Sequence, residues 1–233
     1  METLNIGVDL EAIFQIEELD QTTYLKGILF SFIKSITELS PQIVEVIIFS
    51  TADPSISPFV FESLSLHELD VNQVIFTGGE TLLPYLQALE VEIYLSVDQK
   101  AIHEAQLSGI LAGFVSSKVH VSTLTIAFDH RLFLDDITYN GLGKWVPLLG
   151  YLQQQDKQFL SIELMTTRLY SVDRWVKELF QSSQCKINAI CFIASGKGED
   201  LLELFDVTIY FEGEKREPLS PLPTSDCILN IDF

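Results

Sequence analysis

Positive charge is scarce in this chain of 233 residues: 14 lysines and arginines stand against 33 aspartates and glutamates, a formal net charge of −19. Nucleic acids and anionic membrane surfaces are bound through basic patches, so neither is an expected partner. Cysteine is scarce as well. Cys185, Cys191 and Cys227 are odd in number and lack metal-ligand spacing, which fits reduced thiols and not a disulfide framework. The four histidines are scattered, which excludes zinc hydrolase chemistry of the paired-histidine kind. Long apolar runs are missing: the richest, such as 43–49, have strand length, far short of the roughly 18 residues of a membrane span. The opening Met1-Glu2-Thr3-Leu4-Asn5-Ile6 has neither the basic nor the apolar region of a signal peptide, so a cytoplasmic location is expected.

What is present is an ordinary globular composition, 47% hydrophobic and 20% charged, with enough length for a sizeable core. Short β-branched and aromatic runs alternate with amphipathic stretches, the pattern of an α/β fold with a mainly parallel sheet. The chain also echoes itself. Val71-Asn72-Gln73-Val74-Ile75-Phe76 aligns with Ile187-Asn188-Ala189-Ile190-Cys191-Phe192 at an offset of 116. The same offset carries Leu86 to Leu202, Val91 to Val207 and Ile93-Tyr94 to Ile209-Tyr210. Upstream, Leu4-Asn5-Ile6-Gly7-Val8-Asp9 matches Leu124-Thr125-Ile126-Ala127-Phe128-Asp129 at an offset of 120, and Ile48-Phe49-Ser50-Thr51 matches Leu164-Met165-Thr166-Thr167 at 116 again. Each half therefore reads as a strand ending in Asp, a helix, a strand ending in Ser or Thr, a helix, a strand, a helix and a strand. The expectation is two tandem Rossmann-like halves, 1–118 and 119–233, packed as one pseudo-symmetric body. Two unrelated α/β segments of similar composition are the plainer alternative.

Ligands of such sheets bind at the carboxyl ends of the strands. In the first half these ends carry Asp9, Ser50, Thr51, Thr77-Gly78-Gly79 and Ser96, a set without lysine. In the second they carry Asp129, Thr166, Ser195-Gly196-Lys197 and Glu212, one chemical group from each successive strand. A strand-end Asp can attack a phosphoryl group, a Thr can bond a phosphate oxygen, and a Lys can offset charge on both. An acidic residue on the fourth strand, together with the first Asp, would supply oxygen ligands for Mg²⁺.

These residues resemble a known family. Thr125-Ile126-Ala127-Phe128-Asp129-His130-Arg131-Leu132-Phe133-Leu134 is similar to the first motif of haloacid-dehalogenase-type phosphatases, and more specifically of the cytosolic type I 5′-nucleotidases. Phe76-Thr77-Gly78-Gly79, Tyr85-Leu86-Gln87-Ala88, Tyr94-Leu95-Ser96-Val97-Asp98, His103-Glu104-Ala105 and Gly109-Ile110-Leu111-Ala112 resemble a signature that precedes the catalytic motifs in that family. The resemblance implies that Asp129 is the nucleophile, that Thr166, with Thr167 and Arg168 after it, belongs to the second motif, and that Lys197 is the third-motif lysine. Asp129 and Glu212 would be the metal ligands. Thr166, Thr167, Arg168, Arg131 and Lys197 would hold a phosphorylated ligand, a nucleotide by the family's substrate class.

Two positions depart from the pattern. The family's second Asp, two residues after the nucleophile, is its acid/base; here it is Arg131, which keeps its proton at any relevant pH. The paired aspartates after the fourth strand are Glu212-Gly213, a weakened Mg²⁺ site. The tail differs as well: Pro218, Pro221 and Pro223 exclude a helix there, and 227–233 reads as an edge strand.

Each feature has a plainer reading beside it. Asp129 could be a structural strand end paired to Arg131 or Lys197; His130 could in principle replace the missing acid, but adjacent side chains at a strand exit point differently. Arg131 either takes part of the space and charge role of Mg²⁺ or turns outward. Thr77-Gly78-Gly79 either cradles a phosphate or makes a tight turn. Asp9 reads as structural, and Glu17-Glu18-Asp20 and Asp135-Asp136 as solvated faces. The expected function is a 5′-nucleotidase-like protein that binds phosphate or a nucleoside 5′-monophosphate, with hydrolysis weak or lost. The alternatives are an active Mg²⁺-dependent phosphomonoesterase working through an aspartyl-phosphate and a non-catalytic protein-interaction scaffold. A homo-oligomer is implied by the resemblance alone.

Overall fold

The computed structural model describes residues 3–20, 23–39, 42–116, 123–133, 141–156, 159–166, 174–192 and 206–213. The expected boundary at 118/119, the proline-rich stretch and the expected edge strand at 227–233 lie outside them. So do Thr167, Arg168 and Lys197.

Strand β1 (Leu4–Asp9) alternates Leu4, Ile6 and Val8 toward one face with Asn5, Gly7 and Asp9 toward the other. A single turn of helix, α1 (Leu10–Ile13), leads to a two-stranded antiparallel ribbon, β2 (Phe14–Asp20) and β3 (Thr23–Lys26), where helix was expected. Then follow α2 (Phe30–Leu39), β4 (Val44–Ser50), α3 (Ser57–Leu66), β5 (Gln73–Phe76), α4 (Leu83–Ala88), β6 (Ile93–Ser96), α5 (Gln99–Leu107) and β7 (Leu111–Val115). Asp98 caps α5 by accepting from the Lys100 amide at 2.8 Å. The second stretch holds β8 (Leu124–Asp129), a 3₁₀ turn at His130–Phe133, α6 (Leu142–Gln155), β9 (Leu160–Thr166), α7 (Arg174–Ser182), β10 (Ala189–Phe192) and β11 (Ile209–Phe211). Among the described residues no helix is long and apolar enough to cross a membrane.

Nine strands form one sheet in the order β10-β9-β8-β11-β7-β6-β1-β4-β5. All neighbours are parallel except β11 and β7, which meet antiparallel with Ile209 opposite Val115 and Tyr210 opposite Phe114. In each stretch the strand that ends in Asp lies inside, flanked on one side by the next strand of this sheet (β4 or β9) and on the other by the strand that carries the tyrosine (Tyr94 or Tyr210). Parallel neighbours reached by crossovers to either side leave a crevice at the carboxyl ends, where ligands of such sheets bind.

One face of the sheet carries a single apolar cluster that runs across the β7–β11 seam. Phe32 of α2 meets Trp145 of α6 edge-on at 6.0 Å, and Trp145 meets Phe211 of β11 at 6.2 Å. The seam is tight. A Cβ on Gly113 of β7 would lie 2.9 Å from Ile209 Cγ2 and from Phe211 Cε1. Gly113→Val is therefore expected to destabilise the whole chain by about 1–3 kcal/mol through overpacking. Urea denaturation checks it, and a midpoint equal to that of the wild type contradicts the close seam.

Candidate functional site

Asp129 closes β8 because the strand's alternation sends Ile126 and Phe128 into the shared core and turns Thr125, Ala127 and Asp129 to the opposite face. Its carboxylate is buried, 6% exposed, so its oxygens require partners. They are met from three directions. The Arg131 amide donates to Oδ1 at 2.8 Å. The Arg131 guanidinium donates to Oδ2 through both Nε, at 2.9 Å, and Nη2. The Tyr210 hydroxyl donates to Oδ2 at 3.2 Å. Arg131 Nη2 also lies 3.8 Å from Glu212 Oε1, so one guanidinium joins the two carboxylates. The hydrogen bond to Asp129 holds the Arg131 proton even more firmly than usual. Burial, and then the Asp129 charge, push the Tyr210 phenol up, so it remains a donor.

Thr166 ends β9, the neighbour of β8, one residue beyond the Met165 that stands opposite Asp129. Asp129, Arg131, Thr166 and Glu212 thus share one end of the sheet. Glu212 follows β11, its backbone carbonyl accepting from Gln106 Nε2 of α5 at 3.1 Å. Tyr210 was not anticipated as a site residue. The signal was present, since Ile93-Tyr94 recurs as Ile209-Tyr210, and only the register of β11 on β8 aims that phenol at Asp129.

A divalent metal does not fit this donor set as it stands. Mg²⁺ requires oxygens in near-octahedral array at roughly 2.0–2.1 Å. Both Asp129 oxygens are committed to N–H donors, and the guanidinium occupies the space toward Glu212. Gly213 brings no ligand: a Cβ there would lie 2.5 Å from Arg131 Cβ and 2.8 Å from the Leu132 amide nitrogen. Among the described residues no three His, Cys, Asp or Glu side chains converge as a metal group.

The corresponding end of the first stretch is built differently. Asp9, 4% exposed, accepts hydrogen bonds from the Tyr94 and Ser96 hydroxyls. A cavity of about 300 Å³ adjoins it, lined by Thr51, Thr81, Leu86, Asp98 and Glu104 among others. Thr77-Gly78-Gly79 makes the tight turn. Their amides bond the carbonyls of Ser50, Ala52 and Thr51 at 3.0, 3.2 and 2.7 Å, and both glycines have positive φ. Burial pushes the Asp9 carboxyl up to about 7 against the lowering effect of the two hydroxyls, and nearby Glu11 and Asp98 add to the rise. A raised carboxyl favours the folded state at low pH, and that contribution is lost as pH climbs from about 4 through about 7. Asp9→Asn lacks this titration. Thermal denaturation in steps across that interval is expected to show the wild type losing ground to the variant as pH rises; parallel profiles would contradict it.

No solved structure matches the chain. A family model described as 5′-nucleotidase matches residues 5–137, more than half of the sequence, from β1 through the Asp129 motif and Arg131. The chain belongs to the 5′-nucleotidase family.

Proposed function

We propose that this is a 5′-nucleotidase of the cytosolic type I branch that binds phosphate or a nucleoside 5′-monophosphate at the carboxyl ends of β8 and β9 and hydrolyses it poorly or not at all. The observation that carries this reading is the engagement of the Asp129 carboxylate. Oδ2, the oxygen turned toward Tyr210, already accepts from the Arg131 guanidinium and from the phenol. A nucleophile must present a lone pair to phosphorus, and an oxygen shared among cationic and phenolic donors is a weaker one. The residue two positions on, where the family has its acid/base, is Arg131. It neither protonates a leaving alkoxide nor activates water, and loss of such help costs about 10²–10⁴ in rate.

Holding an anion asks less of the site than cleaving one. The Thr166 hydroxyl and the Arg131 fork supply donors at the strand ends, and Thr167, Arg168 and Lys197 add hydroxyl and positive charge by the family pattern. The ligand is a phosphate monoester for that reason, and a nucleotide by family membership.

We also infer that the two stretches descend from one duplicated unit. The equal strand orders support this, as does a shared detail: a tyrosine from the fourth sheet strand donates to the strand-end Asp in both, Tyr94 to Asp9 and Tyr210 to Asp129.

The test is a phosphatase assay over nucleoside monophosphates and generic phosphate esters, with and without Mg²⁺. Turnover near background is expected, together with a rise in Tm on adding nucleoside monophosphate. Robust turnover that vanishes in Asp129→Asn overturns the reading in favour of a working hydrolase.

A further inference from the structure

The Arg131 guanidinium between two carboxylates raises the question of what it replaces. Asp129 and Glu212 stand at the ends of adjacent strands, β8 and β11, with 3.8 Å between Arg131 Nη2 and Glu212 Oε1 and with Asp129 Oδ2 bonded to the same nitrogen. Left without a cation, these two carboxylates would repel across a partly buried space. The first stretch shows the contrast. There the position matching Glu212 is Ser96, which donates to Asp9, and the position matching Arg131 is Glu11. Where the fourth strand supplies a hydroxyl, no ion pair to the strand-end Asp is found among the described residues, and the nearby Lys100 pairs with Glu104; where it supplies a carboxylate, the turn after the first strand supplies an arginine.

We propose that Arg131 is the resident cation of this site, filling the place of a divalent metal between Asp129 and Glu212, so that the site takes its anion without metal. This rests on the phosphate-binding reading for the nature of the anion but not for the metal claim. Two further features support it. The 3₁₀ turn His130–Phe133 brings the Arg131 amide and side chain to opposite oxygens of one carboxylate, a two-sided grip that fixes the guanidinium. Gly213 leaves room for that turn; any side chain at 213 meets backbone at 131 and 132, which cannot move aside cheaply. Arginine at 131 and glycine at 213 are therefore one arrangement. A single charge in place of two leaves the local sum at −1, so the anion is held more weakly than at a metal.

The experiment uses the full chain and two probes, MgCl₂ and inorganic phosphate, read by thermal shift and calorimetry. The wild type is expected to show no Mg²⁺ binding that depends on Asp129, and a phosphate-induced rise in Tm that EDTA leaves unchanged. Arg131→Ala uncovers the two carboxylates and is expected to gain Mg²⁺ binding at least about tenfold over wild type, reversed by EDTA and absent in Asp129→Asn/Arg131→Ala. Arg131→Gln, which keeps the side-chain bulk without the charge, is expected to gain in the same direction and covers the case in which the alanine variant does not fold. Mg²⁺ binding by wild type that Asp129→Asn abolishes overturns the proposal. So does a phosphate shift that requires Mg²⁺, or an equal lack of Mg²⁺ response in wild type and both Arg131 variants. Absence of any phosphate shift in every protein instead counts against the phosphate reading, and the Mg²⁺ comparisons then decide the role of Arg131 by themselves.

Discussion

A carboxylate at the tip of an interior strand has to be satisfied where it stands. In a parallel sheet the strand end is walled by its neighbours, and an ionised group there forfeits several kcal/mol of hydration unless donors replace the water. Asp9 and Asp129 both sit under this constraint, 4% and 6% exposed. The surroundings of each site follow from how it is met. A tyrosine on the strand beside it supplies one donor in both cases, and the second donor differs: a serine hydroxyl for Asp9, an arginine fork for Asp129. The hydroxyl solution leaves a carboxyl that burial pushes up to about 7, beside an open cavity. The arginine solution leaves an ion pair that fills its own space.

Those two ends can differ because the largest apolar cluster lies on the opposite face. There a single apolar cluster runs across the seam, from Ile6 and Val46 in the first stretch to Ile126, Ile162 and Trp145 in the second. Exchange of polar groups at the strand ends leaves that cluster untouched. The antiparallel pairing of β7 and β11 joins both stretches into one sheet and brings Gln106 of α5 against the Glu212 carbonyl, so the second site is buttressed by a helix of the first stretch.

Much of this is legible in the amino-acid sequence, for a definite reason. The short β-branched and aromatic runs at 4–9, 44–50, 124–129 and 160–166 follow from burial of both strand faces in a parallel sheet, so the strands and their Asp, Ser and Thr ends declare themselves. The ribbon strands 14–20 and 23–26 do not, because they pair only with each other and their register is irregular between Gln15 and Leu19. The seam escapes as well: which edges meet is decided by Gly113 opposite Ile209 and Phe211, a matter of shape between residues nearly a hundred positions apart. Asp129, Thr166 and Glu212 can be chosen from their places at strand ends. Tyr210 cannot, although its repeat is visible, since a lone tyrosine in a strand reads as core. The direction of Arg131 is equally closed to sequence reasoning. It depends on whether the turn after β8 lies against β11.

That turn lies against β11 because residue 213 is glycine, and this couples the two departures from the family pattern. On the proposed reading, where an acid/base is expected at 131 and a second carboxylate at 213, the two differences could be taken as independent, each reversible by an aspartate. The geometry says otherwise. A side chain at 213 would stand 2.8 Å from the Leu132 nitrogen and 2.5 Å from Arg131 Cβ, so an aspartate there displaces the turn that delivers the Arg131 amide to Asp129. Restoring 213 alone therefore breaks the present grip on the carboxylate without providing the metal that would replace it. Restoring 131 alone removes the only cation shown to join Asp129 to Glu212 among the described residues. Contacting sites of this kind are non-additive, and each single reversion passes through a state worse than either end. The arginine and the glycine hold each other in place, and this coupling is what the proposal of a site built around an internal cation rests on.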